Sequence, residues 1–166
     1  MADTSLYDRD IVAWAEQQAE ALRRLAASPA AANAVDWENV IEEIESVGRS
    51  ELKGVESQLR NAIAHILKGY CDPDSLSRAA WSAETIAFLI DARRDFRSSM
   101  AVKLDLDRIW RDAWQLALAQ LNAYMRLKGR RIAVPPGIPA ECPYSLDELL
   151  AEDFDYEKAL QRLSGV

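Results

Sequence analysis

The chain has 166 residues, 49% of them hydrophobic and 28% charged, with a net charge of −7, a pI near 4.8 and a mean hydropathy of −0.21. A chain of this length buries roughly 68–70% of its unfolded surface, so an ordinary core forms without a disulfide or metal staple. The negative balance disfavours sequence-independent binding to a phosphate backbone, which runs on clustered positive charge, and unbroken apolar runs such as Ile86 to Ile90 are too short to span a bilayer.

The polar, acidic N-terminus MADTSLYDRD has neither a basic n-region nor an apolar h-region, which predicts no secretory leader and a cytoplasmic setting. Cys71 and Cys142 lie far apart in sequence, and a reducing cytosol would keep both as free thiols. Five tryptophans are many for this length and belong to a core or an interface.

Asp8 reads as an N-cap with Tyr7 as the residue that staples it. Ile11, Trp14, Ala15, Ala19, Leu22 and Leu25 then recur at helical spacing, predicting a first helix over about residues 8–27. Pro29 ends it, and residues 28–35 form a connector. Asp36 caps the next helix, with Val35 in the staple position.

The second helix is expected over residues 36–70. Its apolar stripe reads Val40, Ile41, Ile44, Val47, Leu52, Val55, Leu59, Ala62, Ile63, Ile66, Leu67 and Tyr70. Steps of three and four continue past Gly48 and Gly54, which predicts one helix of about 34 residues, roughly 50 Å long. Each glycine costs roughly 1 kcal/mol in a helix interior. Two of them imply close approach of a neighbour, or a bend. Glu45 to Arg49 and Glu56 to Arg60 are spaced as i,i+4 pairs.

The segment CDPDS, residues 71–75, is a turn. A third helix follows over about 76–98, with Trp81, Thr85, Phe88, Leu89, Ala92 and Phe96 on its apolar face. A short irregular segment leads to Asp105, which caps a fourth helix. That helix carries Leu106, Ile109, Trp110, Ala113, Trp114, Ala117, Leu121, Tyr124 and Met125 as its stripe and stops at Gly129 in the left-handed conformation.

Between Arg130 and Pro143 lie four of the six prolines, predicting extended chain. Ser145 and Glu148 form a capping box that opens a short helix near 146–151, and Tyr156 to Leu163 suits another. Nothing alternates with a period of two for long enough to make a strand. The expected architecture is all-α: a bundle of four main helices over residues 1–129, the second longest and central, with a proline-rich arm over 130–166 docked on it as one structural domain.

Glu38, Glu42, Glu43, Glu45 and the lone His65 invite a metal reading. The ferritin-like di-metal pattern needs Glu-x-x-His on two helices, and no such triplet occurs here. Glu43 and His65 are 22 residues apart, about 33 Å along a continuous helix. Glu42 and Glu45 at i,i+3 are candidates to hold a hard cation. Their place in the first turns, where negative charge complements the helix dipole, is the simpler reading. For His65 the simpler reading is a satisfied, half-buried side chain, since no nucleophile is fixed beside it. Arg126, Lys128, Arg130 and Arg131 are four cations in six residues, a candidate anion patch that equally suits a helix C-terminus. There is no GxxxxGK, GxGxxG, HExxH, GxSxG or CxxC, and no cofactor is implied.

The stretch LYDRDIVAWAEQQAEALR (6–23), then DWENVIEEIESVGRSELKGVESQLRNAIAHILKGYCDP (36–73), Trp81 with Thr85-Ile86, and ECPYSLDELLAEDF (141–154) resemble the bacterial family called domain of unknown function 29 over nearly the whole chain. The most specific signature is similar to Asp36, Ile41-Glu42-Glu43-Ile44-Glu45, Gly48, Ser57-x-Leu59, His65-Ile66-Leu67-Lys68 and Cys142-Pro143-Tyr144. The family's Ser-Trp-x-x-Thr-Ile pattern is altered here, with Ala80 in place of the serine and one more residue before Thr85. The resemblance implies an all-helical fold and no established activity, and it singles out Glu42, Glu43, Glu45, His65 and Lys68 as residues to test. Two functions remain: a non-enzymatic interaction or regulatory module with an unknown protein partner or self-association, and a metal-dependent or acid–base enzyme using the glutamates with His65.

Overall fold

A computed structural model of the chain describes residues 5–28, 35–129, 134–135 and 137–165. Among them are seven α-helices and no strand: α1 (Leu6–Arg9), α2 (Ile11–Ala26), α3 (Trp37–Cys71), α4 (Arg78–Asp95), α5 (Leu106–Leu127), α6 (Leu146–Leu149) and α7 (Tyr156–Leu163), with a 3-10 turn at Ser98–Met100. The all-α reading and the four main helices agree with the periodicity. No described helix is long and apolar enough to cross a membrane.

The chain forms two compact units, residues 1–54 with 95–104, and residues 55–94 with 105–166. In the first unit the expected helix of 8–27 divides. Ser5, not Asp8, caps α1, and Asp10 caps α2 by accepting from the Ala13 N–H at 3.0 Å. Asp10 wins the cap because its second oxygen is also used. It accepts from the Ser99 N–H at 3.1 Å and, through the other oxygen, from the Ser99 hydroxyl at 2.7 Å. Tyr7 packs edge-on to Trp14 with ring centroids 4.9 Å apart. Val12, Ala15, Ala19 and Met100 are buried.

Asp36 caps α3 through the Asn39 N–H at 3.3 Å. The helix runs unbroken through both glycines for 35 residues. Gly48 lies against α2: a Cβ there would meet the Ala15 Cβ at 3.5 Å and the Val12 Cα at 3.6 Å, ordinary contact distances. Gly54 faces open space, so close approach demands a glycine at neither position.

The second unit packs the C-terminal half of α3 with α4, α5 and α7. Val55, Leu59, Ala62, Ile63, Ile66 and Leu67 of α3 are all fully enclosed, together with Leu89, Ile109, Trp110, Ala113, Ala117, Leu121, Leu149, Tyr156 and Leu163. Each large side chain so buried contributes about 1.5–3 kcal/mol.

Gly69 is required by Tyr156, whose hydroxyl lies 2.1 Å from where a Cβ would sit and donates to the His65 carbonyl at 3.2 Å. Asp105 caps α5 as expected, and Gly129 takes a φ of 64° beyond its end. The Ser145–Glu148 capping box forms. The described part of the proline-rich segment is tied to α5: the Trp110 indole N–H donates to the Pro139 carbonyl at 2.9 Å, and Asp107 accepts from the Cys142 N–H at 2.8 Å. Arg93 of α4 donates to the carbonyls of Leu150 and Ala151, covering the C-terminus of α6.

Candidate functional site

The sequence-predicted residues fall into two places. Glu42, Glu43 and Glu45 belong to the first unit, and His65 and Lys68 to the second, each with its own partners.

In the N-terminal half of α3, Glu38 lies in the first turn, where it complements the helix dipole, and Glu42, Glu43 and Glu45 follow in the next two turns. Glu42 and Glu45 at i,i+3 are joined by a cation that the chain supplies. Arg49 lies 2.5 Å from Glu42 and 3.8 Å from Glu45, and Arg23 of α2 also pairs with Glu45. The predicted i,i+4 pair Glu45–Arg49 is therefore part of a small network. The other predicted pair is not formed: Glu56 turns to Arg108 of α5 instead of Arg60. A pair within one helix is worth only a few tenths of a kcal/mol, so a tertiary partner readily replaces it. Glu38 and Glu43 carry no ion pair among the described residues. Arg23, Glu38, Asn39, Ile41, Glu42 and Glu45 line an open cleft of about 420 Å³.

The apolar stripe of this half is left uncovered. Val40 and Val47 are 40% and 38% exposed, and Ile41 and Ile44 are only half-buried. Eight and twelve residues beyond Val47, Val55 and Leu59 of the same stripe are fully enclosed.

In the second unit His65 and Lys68 form a polar nest with residues of α4 and α5. Lys68 is 6% exposed; its ammonium donates to Gln120 Oε1 at 2.9 Å and lies 5.4 Å from the Trp81 ring centre. Thr85 donates to the Trp81 carbonyl of its own helix at 2.8 Å and meets the Ala62 carbonyl of α3 at 3.5 Å. His65 Nδ1 comes within 2.8 Å of Glu84 Oε2 without the alignment of a hydrogen bond, and its ring meets Phe88 edge-on at 5.6 Å.

Burial first and Lys68 second lower the His65 pKa, and against the opposing Glu84 it settles at about 4. Burial also lowers the pKa of Lys68, again against Glu84. The imidazole is thus neutral near pH 7, held by packing as much as by charge. Nothing in the spacing pointed to Glu84 or Gln120, which sit on other helices. Only the tryptophan–threonine spacing marked the turn of α4 that Lys68 meets.

Among the described residues no group of three or more His, Cys, Asp or Glu side chains is placed to hold a metal ion. Arg126 and Lys128 are exposed at the end of α5, with Lys128 5.6 Å from the Tyr124 ring centre. Arg130 and Arg131 lie outside the described residues. Cys71 and Cys142 are free thiols, and burial raises the pKa of both, that of Cys71 to about 11.

Residues 6–155 match the family described as Domain of unknown function DUF29. The chain belongs to this family. Its α-helical fold is shared with a solved structure, an alpha-helical protein of unknown function from Rhodospirillum rubrum, at 30% sequence identity and a TM-score of 0.80. That likeness covers 97% of this chain and 99% of the other. A search of the curated proteins returned no match. Membership in DUF29 therefore brings a fold and no established activity, and the function must be argued from the side chains.

Proposed function

We propose that this DUF29 chain is a non-enzymatic protein-interaction module, and that its docking face is the N-terminal half of α3. One observation carries the reading: a single apolar stripe continues along the whole helix, but only its C-terminal half is enclosed. Val55, Leu59 and Ile63 are fully buried, whereas Val40 and Val47 keep about two-fifths of their surface in water. A helix that repeats its apolar phase over two uncovered turns presents a surface suited to a partner. The glutamates beside it fit the rim of an interface better than a catalytic pair, because Glu42 and Glu45 already hold Arg49 and Arg23.

A photo-crosslinking amino acid placed at Val47 in cells that make the protein tests this. The expected result is an adduct of one defined mass, also obtained from position 40 and not from Ala79, an exposed site in the second unit. No adduct, or the same mixture from all three positions, would contradict it.

A further inference from the structure

The charge around the uncovered stripe says what kind of partner fits it, an inference that rests on the docking reading above. We propose that the face on α3 receives a cationic amphipathic helix rather than a second copy of this chain. Between Asp36 and Gly54 there are six carboxylates, Asp36, Glu38, Glu42, Glu43, Glu45 and Glu51, against two cations, Arg49 and Lys53. The surplus is four negative charges on five turns of helix. Arg23 offsets one of them through Glu45.

Two copies meeting along this stripe would bring both surpluses within a Debye length of about 8 Å at physiological ionic strength, and like charges facing each other across an interface select against that pairing. Lysine or arginine beside an apolar ridge has the opposite effect. The geometry supports this at a second point. The cleft lined by Glu38, Glu42 and Glu45 opens beside the stripe, with Asn39, Ile41 and the Glu45-paired Arg23 in its wall. Glu38 and Glu43 have no cation of their own among the described residues. The fitting partner therefore presents apolar side chains at i, i+3 or i+4, and i+7 to Val40, Ile44 and Val47, and places a basic side chain toward Glu38.

The test uses the full chain, labelled with nitrogen-15 and titrated with three synthetic helices of about 14 residues, four turns each. All three carry leucine at the same apolar positions; their flanks are lysine, glutamine or glutamate. The lysine helix is expected to bind saturably, with amide shifts confined to residues 36–54. Binding should weaken about tenfold in Val40→Ser/Val47→Ser, severalfold in Glu38→Gln/Glu43→Gln, and again when salt rises. It should be unchanged in Glu152→Gln/Asp153→Asn, which removes the same charge elsewhere.

The inference is overturned if the glutamine helix binds as tightly as the lysine helix, if the two charge variants weaken binding equally, or if no helix shifts residues 36–54. It is also overturned if sedimentation shows a dimer that Val40→Ser/Val47→Ser abolishes. That last result names a second copy as the occupant and leaves the docking face standing. Failure of the face itself is read separately, from the crosslinks at Val47.

Discussion

At the scale of single residues, the glycines of α3 differ in what surrounds them. Gly54 faces open space, so Gly54→Ala gains helix propensity at no steric cost and should stabilise the fold by about 0.5–1 kcal/mol in chemical denaturation. Gly69 has the Tyr156 hydroxyl 2.1 Å from its missing Cβ. Gly69→Ala should cost about 1–3 kcal/mol by overpacking, and should cost less when combined with Tyr156→Phe than the two single changes sum to. His65 is the one histidine in the chain, so its ring resonance needs no assignment by mutation. Burial first, and Lys68 second, hold its pKa to about 4. Its chemical shift should stay flat between pH 7.5 and 5.5 and move only near pH 4; a midpoint near 6.5, the ordinary value for histidine, would mean that the ring is solvated.

At the scale of elements, Asp10 joins the start of α2 to the turn at Ser98–Met100. Burial by itself would raise the Asp10 pKa, but the Ala13, Ser99 and Ser98 donors outweigh it and the net shift is downward. Asp10→Ala removes a helix cap and leaves the Ser99 N–H without its carboxylate partner, and should cost about 2–3 kcal/mol, measured by urea denaturation. Asp10→Asn, which keeps one acceptor oxygen, should fall between the two. The helices themselves were legible in the sequence. Asp36, Asp105 and the Ser145–Glu148 box each cap the helix they were expected to cap, because capping is local chemistry. Asp10 was harder to read, because Asp8 offers the same signal two residues earlier and the deciding partner, Ser99, is remote in sequence. The continuity of α3 was legible in its unbroken phase. The difference between its halves was not: Val47 and Leu59 are spaced alike, and burial depends on which elements cover them. For the same reason Glu56 could not be assigned to Arg108, nor Lys68 to Gln120, since neither pairing leaves a mark in local spacing.

At the scale of the whole molecule, the titrating groups set the acid response. The His65 pKa is lower in the folded chain than the ordinary 6.5, so between pH 6.5 and about 4 the unfolded state binds a proton that the folded state does not. Stability therefore rises with pH across that window and is lost as pH falls through it. His65→Gln should flatten the slope of Tm against pH there, leaving the wild-type slope below pH 4. That remaining slope belongs to carboxylates whose pKa values are lowered on folding. Asp10 is one, and Glu148 is another, held to about 2 by Arg162 and by the Ser145 N–H. Their stabilisation is present above the ordinary carboxylate range and is lost as they protonate. The larger claim is that one helix serves two purposes, core in its C-terminal half and docking face in its N-terminal half. The most direct measurement is a matched pair of truncations, Val47→Ala and Leu59→Ala, compared by chemical denaturation of the purified chain. Leu59→Ala should cost about 2–5 kcal/mol as an enclosed cavity forms, and Val47→Ala no more than about 0.5 kcal/mol, as at an exposed surface site. A loss at Val47 comparable to that at Leu59 would mean that the N-terminal half is already covered, and would contradict the account.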